Sequence, residues 1–262
     1  MFAYHQSAST YFRYQYESTK AYIIPLIEEK LALNAHTKVL EIGCGEGGNM
    51  LCFAELGCQC VGVDLDISKI EAGKAFYSKG DYSNQVLFIG DDIYNQEAAY
   101  RNAFDVILLK DTIEHIHNQQ KLITFMQLML KNDGIIFFAF PPWYMPFGGH
   151  QQMMDKKWAG LIPFTHLLPG FFYPAFLKIM GEPKNKIESF LEIKETGLSI
   201  ENFEKYISYA KLKTIKRLLY FINPNYKWKF NLAPRLVNSF LAKIPWIRNF
   251  YTTTAYYMVG NK

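Results

Sequence analysis

Five short apolar runs, Lys38 to Ile42, Cys60 to Val63, Val86 to Ile89, Phe104 to Leu109 and Ile135 to Phe140, alternate with segments of helical periodicity at 46–57, 67–79, 94–102 and 118–131. This alternation constrains the chain more than any other feature. Apolar runs of four to six residues suit strands buried on both faces, and the helical segments between them have the length of right-handed βαβ crossovers. The fold class expected is therefore α/β, a doubly wound and mainly parallel sheet with helices on both faces. Seven strands are expected, the last two from 215–222 and 251–259, with a helix at Ile200 to Leu212 opened by Ser199 as N-cap.

Four segments follow from this reading. Residues 1–36 form an N-terminal helical cap, with apolar positions at helical spacing over 11–33 and Pro25 as a kink. Residues 37–140 are the βαβ core. Residues 141–198 break the rhythm and read as a lid, and residues 199–262 return to helix and strand around a second insertion at 223–249, all within one structural domain. Composition changes at the same boundary: the first 140 residues carry 11 basic and 17 acidic side chains, the remainder 17 basic and 7 acidic. Ten of the 11 prolines and 24 of the 43 aromatic residues lie beyond residue 140, and no acidic residue follows Glu204. A basic, aromatic half favours an anionic partner, whether a charged small molecule, a membrane surface or nucleic acid.

The four cysteines, Cys44, Cys52, Cys58 and Cys60, show neither C-x-x-C pairing nor a nearby histidine, so reduced thiols in a cytoplasmic protein are expected. Met1 to Ser9 lack the basic and apolar regions of a secretory leader. Gly160 to Leu177 carries no formal charge, but Pro163, Pro169 and Pro174 interrupt it, which fits a lid or a segment dipping into a membrane surface better than a spanning helix.

At the first strand–helix junction stands Gly43-Cys44-Gly45-Glu46-Gly47-Gly48, where glycines permit positive φ and let a ligand approach the backbone. Gly43, Gly45 and Gly48 satisfy G-x-G-x-x-G, which would also suit a dinucleotide. Charge separates the two. Glu41 and Glu46 would repel a pyrophosphate, whereas S-adenosylmethionine brings an adenosine for Asp64, a sulfonium and an ammonium. Asp91-Asp92 end the third strand at the same carboxyl edge, where open α/β sheets bind ligands.

The runs V-L-E-I-G-C-G-E-G at 39–47, V-G-V-D-L-D at 61–66, F-I-G-D-D-I at 88–93, F-D-V-I-L-L-K-D-T-I-E-H-I at 104–116 and L-K-N-D-G-I-I-F-F at 130–138 resemble the successive motifs of class I SAM-dependent methyltransferases, in the small-molecule branch that includes quinone biosynthesis. The resemblance covers roughly residues 37–140 and the last helix and strands. It implies that Glu41, Gly43, Gly45 and Gly47 line the methionine part of S-adenosyl-L-methionine and that Asp64 holds the ribose, with Leu65 against the adenine. It further implies that Asp91, with the backbone of Asp92 and Ile93, reads the adenine edge, and that Lys110 and Asp111 close the sulfonium side mainly through backbone. S-adenosylhomocysteine is the product expected.

On the acceptor side, methyl transfer is an in-line displacement that needs a base only for a protonated nucleophile. His150, presented by Gly148-Gly149 after the fifth strand, and His115 are the candidate bases; His166 sits in an apolar run and reads as packing. No metal is expected, Mg²⁺ included. The weaker alternative is Asp111, Glu114 and His115, similar to the E-x-x-E-H cluster that holds Mg²⁺ in some methyltransferases of this fold. Trp143, Phe147, Trp158, Phe171 and Phe172 suggest an apolar wall and a ring-bearing or lipid-like acceptor.

A small-molecule acceptor, anionic or lipid-like, is the leading expectation, with peripheral membrane contact through the basic C-terminal region. An RNA methyltransferase is the alternative, from Lys211, Lys213, Lys216, Arg217, Lys227, Lys229 and Arg235 interleaved with Tyr220, Tyr226, Trp228 and Phe230. A non-enzymatic SAM-binding protein at a membrane surface is the third. No base-flipping tetrad follows the fourth strand, so nucleic acid is not the expected partner.

Overall fold

The strands are β1 (Lys38–Ile42), β2 (Gln59–Asp64), β3 (Val86–Gly90), β4 (Phe104–Lys110), β5 (Leu130–Phe140), β6 (Leu212–Ile222), β7 (Arg235–Leu236) and β8 (Thr254–Asn261). They form one sheet in the order β3-β2-β1-β4-β5-β8-β6-β7. The computed structural model describes residues 8–262 apart from Asp81; His5 and most of the stretch read for a leader lie outside the described residues. Strands β1 to β5 pair in parallel, and β8 runs antiparallel between β5 and β6.

The expected count of seven strands is corrected to eight. The additional strand, β7, pairs Leu236 with Tyr220 and Arg235 with Ile222 at the sheet edge within the second insertion. Two residues are too few to leave a period in the sequence.

The helices are α1 (Ala8–Ser18), α2 (Ile24–Glu28), α3 (Met50–Glu55), α4 (Ile67–Tyr77), α5 (Glu97–Tyr100), α6 (Gln119–Met129), α7 (Lys157–Gly160), α8 (Phe172–Ile179), α9 (Lys184–Glu195), α10 (Ile200–Tyr209), α11 (Tyr226–Phe230) and α12 (Ile247–Phe250). Between α1 and α2 the chain takes a π turn at Thr19–Ile23, and Pro25 stands in the first turn of α2. The proline has no N–H to give the preceding turn, so the expected kink is a widened turn. Caps follow the side chains: Ser199 accepts from the Asn202 amide at 3.1 Å, and Asp66 opens α4 by accepting from Ser68 and Lys69.

Each sheet face carries a core. One, under α6 and α10, packs Leu40, Ile107, Phe138, Phe203 and Tyr257; the other, under α1, α2 and α3, packs Val39, Leu108, Phe137, Ile23 and Ile27. The region 141–198 has a small core of its own around Met154, Tyr173, Leu177 and Phe190. This corrects the expected aromatic wall in part. Trp143 packs on His166, with ring centroids 4.5 Å apart, while Trp158, Phe171 and Phe172 remain exposed.

The basic run at the C-terminus is divided among several partners. Lys216 pairs with Glu29 at 2.6 Å, and Arg217 with Glu204 at 2.8 Å. Tyr220 is buried, and Trp228 meets Tyr22 edge-on at 5.9 Å. Buried Arg248 joins Glu201 and Glu204, fastening the second insertion to α10.

Candidate functional site

At the carboxyl edge of β1 the glycine loop turns with Gly43, Gly45 and Gly47 all at positive φ. A Cβ on Gly43 would stand 2.5 Å from Thr112 Cγ2, and one on Gly47 2.7 Å from Phe88 Cζ, so these positions need glycine for both conformation and space. The Gly43 amide donates to Val63 at 2.8 Å, and α1 closes on Gly48, where a Cβ would meet the Phe12 carbonyl at 2.7 Å.

The acidic strand ends are fixed by their own loops. Asp64 accepts from the Gly45 amide at 2.7 Å and the Asp66 amide at 2.9 Å, which joins β2 to the glycine loop, and Leu65 beyond it is 73% exposed. Asp91 accepts from the Asp92 amide, Asn95 and Gln96, each within 2.8 Å. The Asn95 hydrogen bond leads in holding its carboxyl below the usual range. Both Asp91 oxygens therefore serve the loop in this structure, as does the Asp92 amide, and Ile93 is buried in the core.

Glu41 is buried to 1% exposure. Its Oε1 accepts from Asn49 at 2.6 Å, Asn49 is held in turn by Thr19 at 2.7 Å, and Oε2 has no hydrogen-bond partner. Burial pushes the carboxyl up to about 8, against the opposing effects of Asn49 and Lys110. An orphaned carboxylate oxygen beside a positive-φ glycine loop fits the ammonium and sulfonium of S-adenosylmethionine and does not fit a pyrophosphate.

Lys110 and Asp111 follow at the end of β4. The Lys110 side chain is 2% exposed, with Nζ 3.4 Å from Asp111 Oδ2. Asp111 takes φ of 52°. Its charge acts on groups from three elements distant in sequence, Tyr11 of α1, Tyr256 of β8 and Lys229 of α11. Burial lowers the Lys229 ammonium from its ordinary value, Asp111 opposes that shift and Lys110 adds to it.

The two candidate bases come together. A tight turn at Ile113–His115, held by Thr196 donating to the Glu114 carbonyl at 2.6 Å and Gln119 to that of Ile113 at 3.0 Å, aims His115 at the insertion. His150, at φ of 55°, meets it edge-on with ring centroids 4.9 Å apart. The Gly148-Gly149 turn that presents it is packed tightly: a Cβ on Gly148 would clash with the Trp143 carbonyl, and one on Gly149 with His166 Cβ.

His166 is fully buried, its Nε2 2.7 Å from the Trp143 carbonyl and its Nδ1 facing Gln151, with burial lowering it to about 4. It is a packing histidine.

Glu114 is buried with Oε2 unpartnered and Oε1 4.0 Å from His115 Nε2; burial, then Asp111, drives its carboxyl well above the usual range. Ligating atoms of Glu114, His115 and His150 all lie within 4.8 Å of one another. The set that could hold a cation thus differs from the one in the sequence: His150 takes the place of Asp111, which faces Lys110.

No described helix is long and apolar enough to cross a membrane. All four cysteines are free and buried.

Comparison with known proteins agrees with this geometry. The family described as "Methyltransferase domain" matches residues 12–178. A ubiquinone biosynthesis O-methyltransferase of Actinobacillus pleuropneumoniae serotype 5b is 30% identical over 106 residues, 39% of this chain and 44% of that protein. The chain thus spans about half the length of the curated relatives it matches. Among solved structures, a SAM-dependent methyltransferase of Clostridium acetobutylicum superposes with a TM-score of 0.58 at 13% identity, over 94% of this chain and 92% of that one. The geranyl diphosphate C-methyltransferase of Streptomyces coelicolor, solved with S-adenosyl-L-homocysteine, gives 0.58 at 13% identity over 92% and 79%. With family match, sheet order and glycine loop in agreement, the chain belongs to the methyltransferase domain family, on the class I fold that uses S-adenosyl-L-methionine.

Proposed function

We propose that the protein is an enzyme that transfers a methyl group from S-adenosylmethionine to an oxygen of a ring-bearing, apolar acceptor. The observation that carries this reading is the meeting of His115 and His150 beside buried Glu114, at the same sheet edge as Glu41 and the glycine loop. Carbon and aliphatic nitrogen acceptors of a displacement at sulfonium need no base at this step when already nucleophilic, whereas a phenolic hydroxyl gains from one. The curated relatives named as O-methyltransferases support the same choice.

In this reading Glu41 neutralises the cationic donor, the loop amides and Asp64 position it, and the acceptor oxygen attacks the methyl carbon in line with sulfur. The C–O bond forms as the C–S bond breaks, S-adenosylhomocysteine leaves, and the phenolic proton passes to His150. A second reading keeps the same acceptor and gives Glu114, His115 and His150 to a divalent cation, which would lower the pKa of a bound hydroxyl. The clustering of their ligating atoms favours it.

The test is label transfer from methyl-labelled S-adenosylmethionine to prenylated catechol acids, with unstructured RNA as a parallel acceptor. Label on the catechol oxygen is the expected result. Label on RNA alone, or cofactor binding without turnover on any acceptor, overturns the reading.

The two insertions add a place for the reaction. Trp158, Phe171, Phe172 and Ile179 of the lid and Phe240 and Trp246 of the second insertion are all more than half exposed. The insertions touch where Phe164 meets Phe250, with ring centroids 6.0 Å apart, and Lys156, Lys157, Lys178 and Lys243 are exposed among them. Aromatic residues with interspersed lysines suit an anionic bilayer surface, from which a lipid-like acceptor would be drawn on the cytoplasmic side. Co-sedimentation with phosphatidylglycerol-rich vesicles, weak with phosphatidylcholine alone and reduced several-fold by Phe171→Ser with Phe172→Ser, is the expected result. Equal recovery with both lipids, or with neither, would remove the bilayer from the proposal.

A further inference from the structure

The sheet face beneath the N-terminal helices holds a row that the donor site does not account for. Lys110 of β4, Ala139 of β5 and Tyr256 of β8 are consecutive register partners, so their side chains rise from the same face. Two strand spacings put Lys110 and Tyr256 about 10 Å apart at the backbone, with only a methyl group between them. The row lies at the carboxyl end of β4 and β5, beside the glycine loop, where the Asp111 charge acts on both Tyr11 of α1 and Tyr256.

Tyr256 is 2% exposed, and its hydroxyl has no hydrogen-bond partner. Its ring is satisfied by packing: Phe137 meets it edge-on at 5.2 Å and Tyr220 at 5.0 Å. A phenylalanine would keep those contacts without burying an unpaired polar atom, which folding disfavours. The hydroxyl is therefore a feature that packing does not explain. Burial, then the nearby Asp111, Tyr220 and Tyr22, keep the phenol protonated far above neutrality, so at the working pH it is a hydrogen-bond donor. The charged group that acts on it is the Asp111 carboxylate, which stands 3.4 Å from Lys110 Nζ.

We infer that Tyr256 is an acceptor-binding residue, whose hydroxyl donates a hydrogen bond to a ring oxygen of the methyl acceptor seated over Ala139. The inference rests on the ring-acceptor reading above and deepens it. It names the hydroxyl that selects an oxygen-bearing ring over a bare hydrocarbon, because an acceptor without that oxygen would leave the phenol unpaired in the complex.

The test is Tyr256→Phe in the full chain, with three readouts: S-adenosylhomocysteine affinity, affinity of the S-adenosylhomocysteine-loaded protein for 3,4-dihydroxybenzoate, and the melting temperature without ligand. Expected are an unchanged S-adenosylhomocysteine affinity, a roughly 5- to 10-fold weaker dihydroxybenzoate complex, and a melting temperature raised by about 2–4 °C. A hydroxyl with only a structural role predicts the opposite thermal sign, since its loss would remove a stabilising bond. An unchanged dihydroxybenzoate affinity, or a lower melting temperature, overturns the assignment. Should the native protein bind S-adenosylhomocysteine but no dihydroxybenzoate, the ring-acceptor reading fails. Tyr256 is then decided by the melt, where a fall overturns it and a rise sustains a hydroxyl kept at the expense of stability.

Discussion

Replacing Glu41 by glutamine is expected to weaken S-adenosylmethionine binding about 10- to 100-fold at pH 8, the range for losing a charge-assisted contact in a desolvated site. The larger consequence lies in the pH dependence. Without ligand, burial raises the Glu41 carboxyl from its ordinary 4.5 to about 8, so at neutral pH it is mostly protonated. A cationic donor beside Oε2 favours the carboxylate and lowers that value, so binding below about pH 8 expels a proton. Affinity should then climb up to roughly tenfold per pH unit between about 6 and 8 and level off above, a slope that Glu41→Gln abolishes.

Stability runs the other way. The folded, ligand-free protein holds a proton that the unfolded chain gives up above 4.5, so this contribution is complete below about 4.5 and is lost as pH rises through about 8. Glu41→Gln should therefore melt higher than the native protein above pH 8 while binding the cofactor worse. Titration calorimetry in buffers of different ionisation enthalpy measures the proton directly. A native affinity that is flat from pH 6 to 8 would show that the carboxylate is already charged, and the account of Glu41 would fail.

Why the donor half could be read from the sequence follows from Glu41 and its neighbours. Strands β1, β4 and β5 are largely buried on both faces, so their apolar runs stand out, and the motif residues lie within a few positions of each strand end. The glycines are legible because positive φ and a 2.5 Å approach at Gly43 admit little else. Asp91 shows the limit of that reading. Its identity and place fit an adenine contact, yet Asn95 and Gln96, four and five residues later, turn both oxygens to the loop.

The acceptor half was legible only in outline, because its residues meet through topology. Tyr11, Lys110, Lys229 and Tyr256 come from a helix, a strand, an insertion and the last strand, and nothing local marks them as partners. Tyr256 sits in an alternating run where an aromatic residue is ordinary strand packing. The basic–aromatic stretch after Glu204 gives the converse case: it reads as one surface, but the fold sends Lys216 to Glu29 and Arg217 to Glu204, and buries Lys229 where the Asp111 charge acts on it.

His150→Ala is expected to lower kcat by about 100- to 1,000-fold, as loss of a positioned general base does, while S-adenosylhomocysteine affinity stays as in the native protein. The segment 141–198 holds His150 rigidly, through glycines wedged against Trp143 and His166, so truncating its side chain removes the imidazole without freeing the loop. His115→Ala should cost less if His150 takes the proton alone, because His115 then serves to orient its partner ring. If instead Glu114, His115 and His150 share a divalent cation, the three single variants fall together, since the cation depends on all of them. A chelator distinguishes the two on the native protein. Turnover that survives prolonged chelation assigns the proton to His150, whereas turnover that is lost and then restored by added Mg²⁺, Mn²⁺ or Zn²⁺ assigns the same three side chains to the metal. Full activity in His150→Ala would exclude both, and the nucleophile would then need to be one that loses its proton unaided.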